Sequence, residues 1–139
     1  MDLKNAKVLV TGGSMGIGYA AAKSLIEAGA KVVICGRDEK RLEKAAKELG
    51  AVPVMADVAK EKDVISLIAE TIKALDGYNV LVNNAAYGYF SPLTAIDTAK
   101  FNEQLMVNIT GAMMCGRESA KHFIEKSYGN IINIASSAG

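Results

Sequence analysis

Short apolar runs alternate with longer amphipathic stretches along the whole chain. KVLVTGG, KVVICG and AVPVMA are followed by helix-spaced apolar positions from about Gly16 to Ala28, Glu39 to Leu49 and Glu61 to Leu75. NVLVNNA comes next, and the longest helical pattern, from about Thr98 to Lys126, leads into GNIINIAS. This alternation predicts five β-strands joined by helices. Such a series implies a parallel sheet with right-handed crossovers and helices on both faces, a doubly wound three-layer α/β/α fold. The strand runs are apolar throughout instead of alternating, as expected where helices cover both faces of a parallel sheet. In the order 3-2-1-4-5 the fifth strand would lie at an edge with its backbone groups unpaired, and a flat apolar edge needs covering. The sheet is therefore expected to be incomplete at its C-terminal side. With no repeat, linker or low-complexity segment, residues 1–139 read as a single domain.

Composition narrows the function classes. Half of the 139 residues are apolar, enough for one sizeable core. Sixteen basic residues against 15 acidic leave a net charge of +1, with no basic run suited to nucleic acid or a membrane surface. A small-molecule partner is expected. Cys35, Cys115 and a single histidine have no metal-ligand or disulfide spacing, so the cysteines read as buried, reduced thiols and no metal site is expected. No apolar run approaches the roughly 20 residues of a membrane span, and no signal-peptide pattern opens the chain. A cytoplasmic protein is expected.

The candidate chemistry starts at TGGSMGIG, Thr11 to Gly18, between the first strand and the first helix. In a doubly wound fold that junction binds phosphates. Gly12 would let the chain turn off the strand, Gly16 would let backbone approach a pyrophosphate, and Gly18 would let the helix pack close. The helix N-terminus adds free amides and a positive dipole end. Ser14 and Ile17 complete the expected cofactor-facing set. A literal G-x-G-x-x-A match at Gly16, Gly18 and Ala21 begins too far from the strand to be the fingerprint, and a merely Gly-rich turn is the bland alternative.

The Gly12-x-x-x-Gly16-x-Gly18 spacing resembles that of the short-chain dehydrogenase/reductase family, which has a Rossmann fold. Further motifs follow in the family's order. ADV, Ala56 to Val58, resembles the segment that holds the adenine ring through Asp57, with Val58 beside it. NNAA, Asn83 to Ala86, resembles the family's Asn-Asn-Ala-Gly, which steadies the central sheet and puts Asn84 and Ala85 beside the cofactor; Ala86 replaces the glycine and narrows that space slightly. At the end of the second strand an NAD-binding protein usually carries a carboxylate, whereas NADP needs a cation for its 2′-phosphate. Here Gly36 holds the strand end and Arg37 follows, which resembles the NADP-preferring pattern, although Met15 stands where the glycine loop often has a second basic residue. NADP is the expected cofactor and NAD the second choice. A solvated Arg37, with Asp38 capping the next helix, is the alternative.

The resemblance implies hydride transfer between the nicotinamide and a carbonyl or alcohol, using a tyrosine acid/base, a lysine that lowers its pKa, and an assisting serine and asparagine. A phenol of pKa about 10 is a poor base at neutral pH until cations stabilise the phenolate. The serine matches Ser136, with Ser137 as second choice, and would bond the substrate oxygen as charge develops on it. The asparagine matches Asn108 in VNITG, whose side chain would hold a water within the long helix; satisfaction by its own helix is the alternative. The tyrosine and lysine should follow Ser136 by roughly a dozen residues, beyond Gly139. Tyr19 and Lys23 have the Tyr-x-x-x-Lys spacing but lie on the first helix, and Tyr87, Tyr89 and Tyr128 have no lysine four residues on. The chain thus reads as the first part of a dehydrogenase, inactive alone. A non-catalytic dinucleotide-binding module is the competing reading, and a flavodoxin-type binder a distant third. YGYF, Tyr87 to Phe90, is a candidate pocket lining, and His122 a surface helix residue. Phe101, Leu105, Met113 and Phe123 give the long helix more apolar surface than one sheet face needs, and the resemblance implies a homo-oligomer, dimer or tetramer, formed through it.

Overall fold

The computed structural model describes residues 3–136. Five strands, β1 (Lys7–Thr11), β2 (Lys31–Gly36), β3 (Val52–Met55), β4 (Val80–Asn83) and β5 (Asn130–Asn133), form one parallel sheet in the order β3-β2-β1-β4-β5. The helices are α1 (Gly16–Glu27), α2 (Glu39–Leu49), α3 (Glu61–Leu75), α4 (Thr98–Leu105) and α5 (Ala112–Glu125). The expected strand order and crossover pattern are therefore observed.

Successive strand residues point to opposite faces, and each face has its own core. Leu9, Val33, Cys35, Val54 and Leu81 pack with Val64, Leu67 and Ile68 of α3 and Met114, Cys115 and Phe123 of α5. Their neighbours Val8, Val10, Val32, Ile34, Val80 and Val82 pack with Ala22 of α1 and Leu42, Ala45 and Ala46 of α2. The helix ends follow local chemistry. Asp38 accepts from the Arg41 amide at 3.0 Å to cap α2, and Gly50, in the left-handed region at φ +71°, ends it.

Three expectations need correction. The apolar strands are covered on both faces only in the centre: three of the four residues of β3 and all four of β5 are exposed, because each edge strand lacks helices over part of its surface. The long helix is not uniformly α-helical. Between α4 and α5 it widens into a π-helical turn over Met106–Gly111, the kind of insertion that re-aims side chains. His122 and Phe123 are buried on its inner side instead of lying on the surface. The His122 ring stacks on Tyr78 at 5.4 Å and its Nε2 accepts from the Tyr78 amide at 3.4 Å, while Tyr78 Oη donates to Ser119 Oγ at 2.6 Å. The outward apolar residues of the helix include Phe101, Leu105, Met106, Ile109, Met113 and Ile124.

Candidate active site

The C-terminal ends of β1 and β4 are tied together through Thr11, a buried residue. Its hydroxyl donates to Val82 O at 3.3 Å and accepts from the amides of Asn84 and Ala85, both at 3.0 Å. In return Asn84 Nδ2 donates to Thr11 O at 3.0 Å and Gly12 O at 3.2 Å. The glycine turn is thus bolted to the NNAA segment by side-chain bonds to backbone. Gly12 takes φ +65° to leave the strand. A Cβ on Gly18 would lie 2.3 Å from Gly12 O and 2.4 Å from Asn84 Nδ2, so α1 can begin against the turn only without a side chain there. Above Gly16 nothing lies within 4 Å of where a Cβ would be. The N-cap residue Met15 makes no side-chain cap, so the first amides of α1 face that open space and fit an anion.

Around this turn lies a cavity of about 730 Å³, lined among others by Gly12, Ser14, Arg37, Arg41, Asp57 and Val58. Arg37 is exposed at its edge. Asp57 is engaged locally: its carboxylate accepts from the Ala59 amide at 3.1 Å and pairs with Lys60 at 3.9 Å. Its own amide donates to Asp63 Oδ2 at 3.0 Å, so the ADV turn is held to the start of α3. Cys35 lies beneath the loop, its thiol pushed up to about 12 by burial and only partly relieved by a bond to the Gly12 backbone. Cys115 is pushed up to about 11 by burial, and both cysteines are free and buried. Neither is a nucleophile near neutral pH.

A second cavity, of about 1210 Å³, adjoins the first, sharing Ile17, Val58, Asn84, Ala85 and Ala86 with it. Asn108, from the π-helical turn, and Ser136, from the segment after β5, both line it. Both hydrogen-bonding edges of the Asn108 amide engage Tyr87. Nδ2 donates to Tyr87 O at 3.0 Å, and Oδ1 accepts from Tyr87 N at 2.8 Å. Asn108 therefore holds the segment after β4 instead of being satisfied within its own helix. Tyr89 N donates to Gln104 Oε1 at 2.7 Å, fixing the same segment to α4. These bonds hold YGYF against Asn108 and Gln104, both of which line the second cavity.

Ser137 lies outside the described residues. Tyr19 and Lys23 are far from this chemistry in role, since Tyr19 Oη donates to Glu48 Oε2 at 3.2 Å and Lys23 pairs with Glu27 at 3.9 Å. Two residues of the site carried no expectation. Thr11 could have been suspected as a hydroxyl at the last position of a buried strand, where backbone donors need partners. Gly111, three residues after Asn108, lets the π-helical turn approach the ADV segment: a Cβ there would lie 2.9 Å from Val58 O. No sequence signal distinguished it from any helix glycine. Among the described residues no group of three His, Cys, Asp or Glu side chains could hold a metal ion, and no helix is long and apolar enough to cross a membrane.

A parallel sheet in this order, with a glycine turn and an uncapped helix start at its switch point, defines a Rossmann-type fold. The family model for short chain dehydrogenases matches residues 6–139, and the chain belongs to that family. It is 42% identical over 137 residues to glucose 1-dehydrogenase of Gluconobacter oxydans, covering 94% of this chain and 52% of that protein. It is 38% identical over 135 residues to L-fucose dehydrogenase of Bos taurus, covering 95% and 49%. The crystal structure of a short chain dehydrogenase from Bacillus anthracis superposes with a TM-score of 0.92 at 31% identity, covering 99% of this chain and 61% of that one. The chain spans about half the length of the curated relatives it matches, and relative to such structures its sheet is a partial one.

Proposed function

We propose that the chain carries the cofactor-binding part, and two assisting residues, of an oxidoreductase that moves a hydride between NADP(H) and a carbonyl or alcohol. One observation supports this above all: the glycine turn, Arg37 and Asp57 open onto one cavity that runs into a second holding Asn108 and Ser136. When bound, the dinucleotide supplies or accepts the hydride. The residues of the chain divide the remaining work. Gly12, Ser14, Ile17 and the start of α1 receive the pyrophosphate beside Gly16 and Gly18. Asp57 and Val58 border the adenine, and Arg37 meets the 2′-phosphate. Asn84 and Ala85 back the nicotinamide. Ser136 Oγ donates to the substrate oxygen as negative charge develops on it. Asn108 positions the segment after β4 and retains a second N–H for a proton path. The relatives named above act on sugars, which fall within the proposed substrate class.

Among the described residues no tyrosine with a lysine four residues on faces this cavity, so the chain alone should not turn over. The exposed apolar side of the long helix supports self-association as a dimer or tetramer. Free, buried cysteines accord with a reducing cytoplasm.

The test is Ser136→Ala in the full-length gene product, assayed by NADPH oxidation and by dinucleotide titration. The expected result is a kcat lower by roughly 100-fold or more with cofactor affinity nearly unchanged. An unchanged kcat would remove Ser136 from the chemistry; full-length protein that binds NADP but reduces no carbonyl would favour the binding module.

A further inference from the structure

Gln104, on α4, is held by one end only. Its Oε1 accepts from the Tyr89 amide at 2.7 Å, and because a backbone N–H can only donate, that contact fixes which end of the carboxamide is oxygen. The other end, Nε2, has no partner among the described residues. It is not sealed off either, since the buried side-chain polar atom left unpaired among those residues is Asn83 Oδ1. Gln104 is half-buried and lines the larger cavity together with Asn108 and Ser136. Tyr89 does not depend on Gln104 alone: its Oη accepts from the Asp97 amide at 2.9 Å, and Lys100 Nζ lies 5.7 Å from its ring centroid. A carboxylate at position 104 would serve the Tyr89 amide equally well. What the carboxamide adds is a pair of N–H donors that the fold leaves unused.

We propose that Gln104 is a specificity-determining residue: its Nε2 donates to a second oxygen of the substrate, so the site selects neutral alcohols or carbonyl compounds that carry an acceptor oxygen beyond the reacting one. The inference rests on the oxidoreductase reading given above. Asn108, four residues on, is held in a similar way, with its oxygen and one N–H engaged by Tyr87 and the second N–H left over. Two carboxamides oriented by the same segment thus have spare donors on one cavity. Neutrality of the substrate follows from the rest of the lining. Among the described residues the one charged side chain on this cavity is Arg117, and its guanidinium already meets Glu61 and Glu118. A carboxylate or phosphate would find no free cation there, whereas a hydroxyl or ether oxygen needs only a neutral donor. A donor that loses its water and gains no partner penalises substrates lacking that oxygen, which is what makes such a bond discriminating.

The test uses the full-length gene product, NADP or NAD, and cyclohexanol, 2-methoxycyclohexanol and cyclohexane-1,2-diol as probes. Wild type should oxidise the ether and the diol with kcat/KM roughly tenfold above cyclohexanol, the scale of one neutral hydrogen bond, carried mostly by KM. Gln104→Leu should erase both preferences. Gln104→Glu is the decisive variant, because its carboxylate still accepts from the Tyr89 amide but cannot donate. It should lose the preference for the ether, which offers only an acceptor, and keep that for the diol, whose hydroxyl can donate to a carboxylate. If both variants lower all the probes alike, Gln104 only holds the segment after β4 and the inference falls. Unchanged ratios in both variants, or a wild type that oxidises cyclohexanol as well as the diol, overturn the inference and leave the oxidoreductase reading standing. Full-length protein that binds a dinucleotide but oxidises none of the probes and reduces none of the corresponding ketones counts against that reading, and the inference falls with it.

Discussion

The two lobes of the cavity system are built by different means. Around the glycine turn, backbone meets backbone with no room for a side chain, and Thr11 and Asn84 satisfy buried groups at distances of 3.0 to 3.3 Å. Around Asn108 and Ser136 the polar bonds, the Asn108 pair to Tyr87, the Tyr89 bond to Gln104 and the Asn83 amide donating to Ala112 O and Asn133 Oδ1, are set in an apolar wall that includes Phe101, Leu105, Ile109, Met113 and Ile131. All five of those apolar side chains are at least 40% exposed. A contiguous apolar wall in water marks a surface that gains from being covered. The first lobe therefore takes its shape from short-range packing within the chain, and the second still has contacts to make. Damage to the first should be severe and local, whereas changes to the outer wall of the second should act through association.

The largest effect is expected at Gly18. Gly18→Val puts a branched side chain where even a Cβ would lie 2.3 Å from Gly12 O, so α1 must move away from the turn. Overpacking of this kind costs about 3 kcal/mol, and the first amides of α1 move with the helix. Dinucleotide affinity should fall by more than about 100-fold in titration. Wild-type affinity in this variant would mean that the turn is pliant, and the contrast between the lobes would fail. Thr11→Val comes next, because it keeps the shape of the residue but removes the acceptor for two amides. A loss of about 2 kcal/mol in urea denaturation is expected, with dinucleotide binding weakened as Asn84 and Ala85 lose their register. Full stability would show that those amides find other partners.

Much of the first lobe was legible in the sequence because its determinants are local. A strand, a glycine turn and a helix follow one another within Lys7 to Glu27, and residue type there reports directly on backbone geometry. The strand order was legible for a similar reason, since apolar runs joined by helical crossovers allow few topologies. What was not legible depends on partners distant in sequence. The hydroxyl of Thr11 matters because residues more than 70 positions away place their amides on it. Gly111 matters because Val58 O lies against it, and a helical glycine looks the same whether or not something does. The burial of His122 follows from Tyr78, on the segment between α3 and β4. The placement of YGYF depends on hydrogen bonds to Asn108 and Gln104, which its aromatic character does not announce.

A smaller effect should appear in alkali, and it engages both lobes. Burial raises the Cys35 thiol from 9.0 to about 12 and the Cys115 thiol from 9.0 to about 11. In the unfolded chain each thiol is free to ionise near its ordinary value. The stability contributed by keeping them neutral is therefore fully present below pH 9 and declines as pH rises toward 11 and 12. By pH 10 one such thiol accounts for a loss of about 1 kcal/mol. Urea midpoints measured from pH 8 to 10.5 should fall, and Cys35→Ala should flatten part of the decline. A flat wild-type profile would mean that water reaches the thiol beneath the glycine loop, contrary to the tight packing ascribed to the first lobe.

The smallest effect on folding is expected on the outer wall of the second lobe. Ile109 is 65% exposed on the π-helical turn, so replacing it with glutamine removes little buried contact. Exposed substitutions of this kind usually change stability by no more than about 0.5 kcal/mol. If the wall serves self-association, Ile109→Gln should nevertheless lower the mean mass measured by light scattering, because glutamine must give up water to enter an apolar contact while isoleucine gains by leaving it. Met113→Gln, at 51% exposure, should act in the same direction and add to it. Affinity for an adenine mononucleotide such as 5′-AMP should stay unchanged in both variants, since neither residue lines the cavity around the glycine turn. A fall in stability well beyond 0.5 kcal/mol with no change in mass would assign the exposed face to folding. The difference between a lobe held by its own chain and a lobe held by association would then disappear.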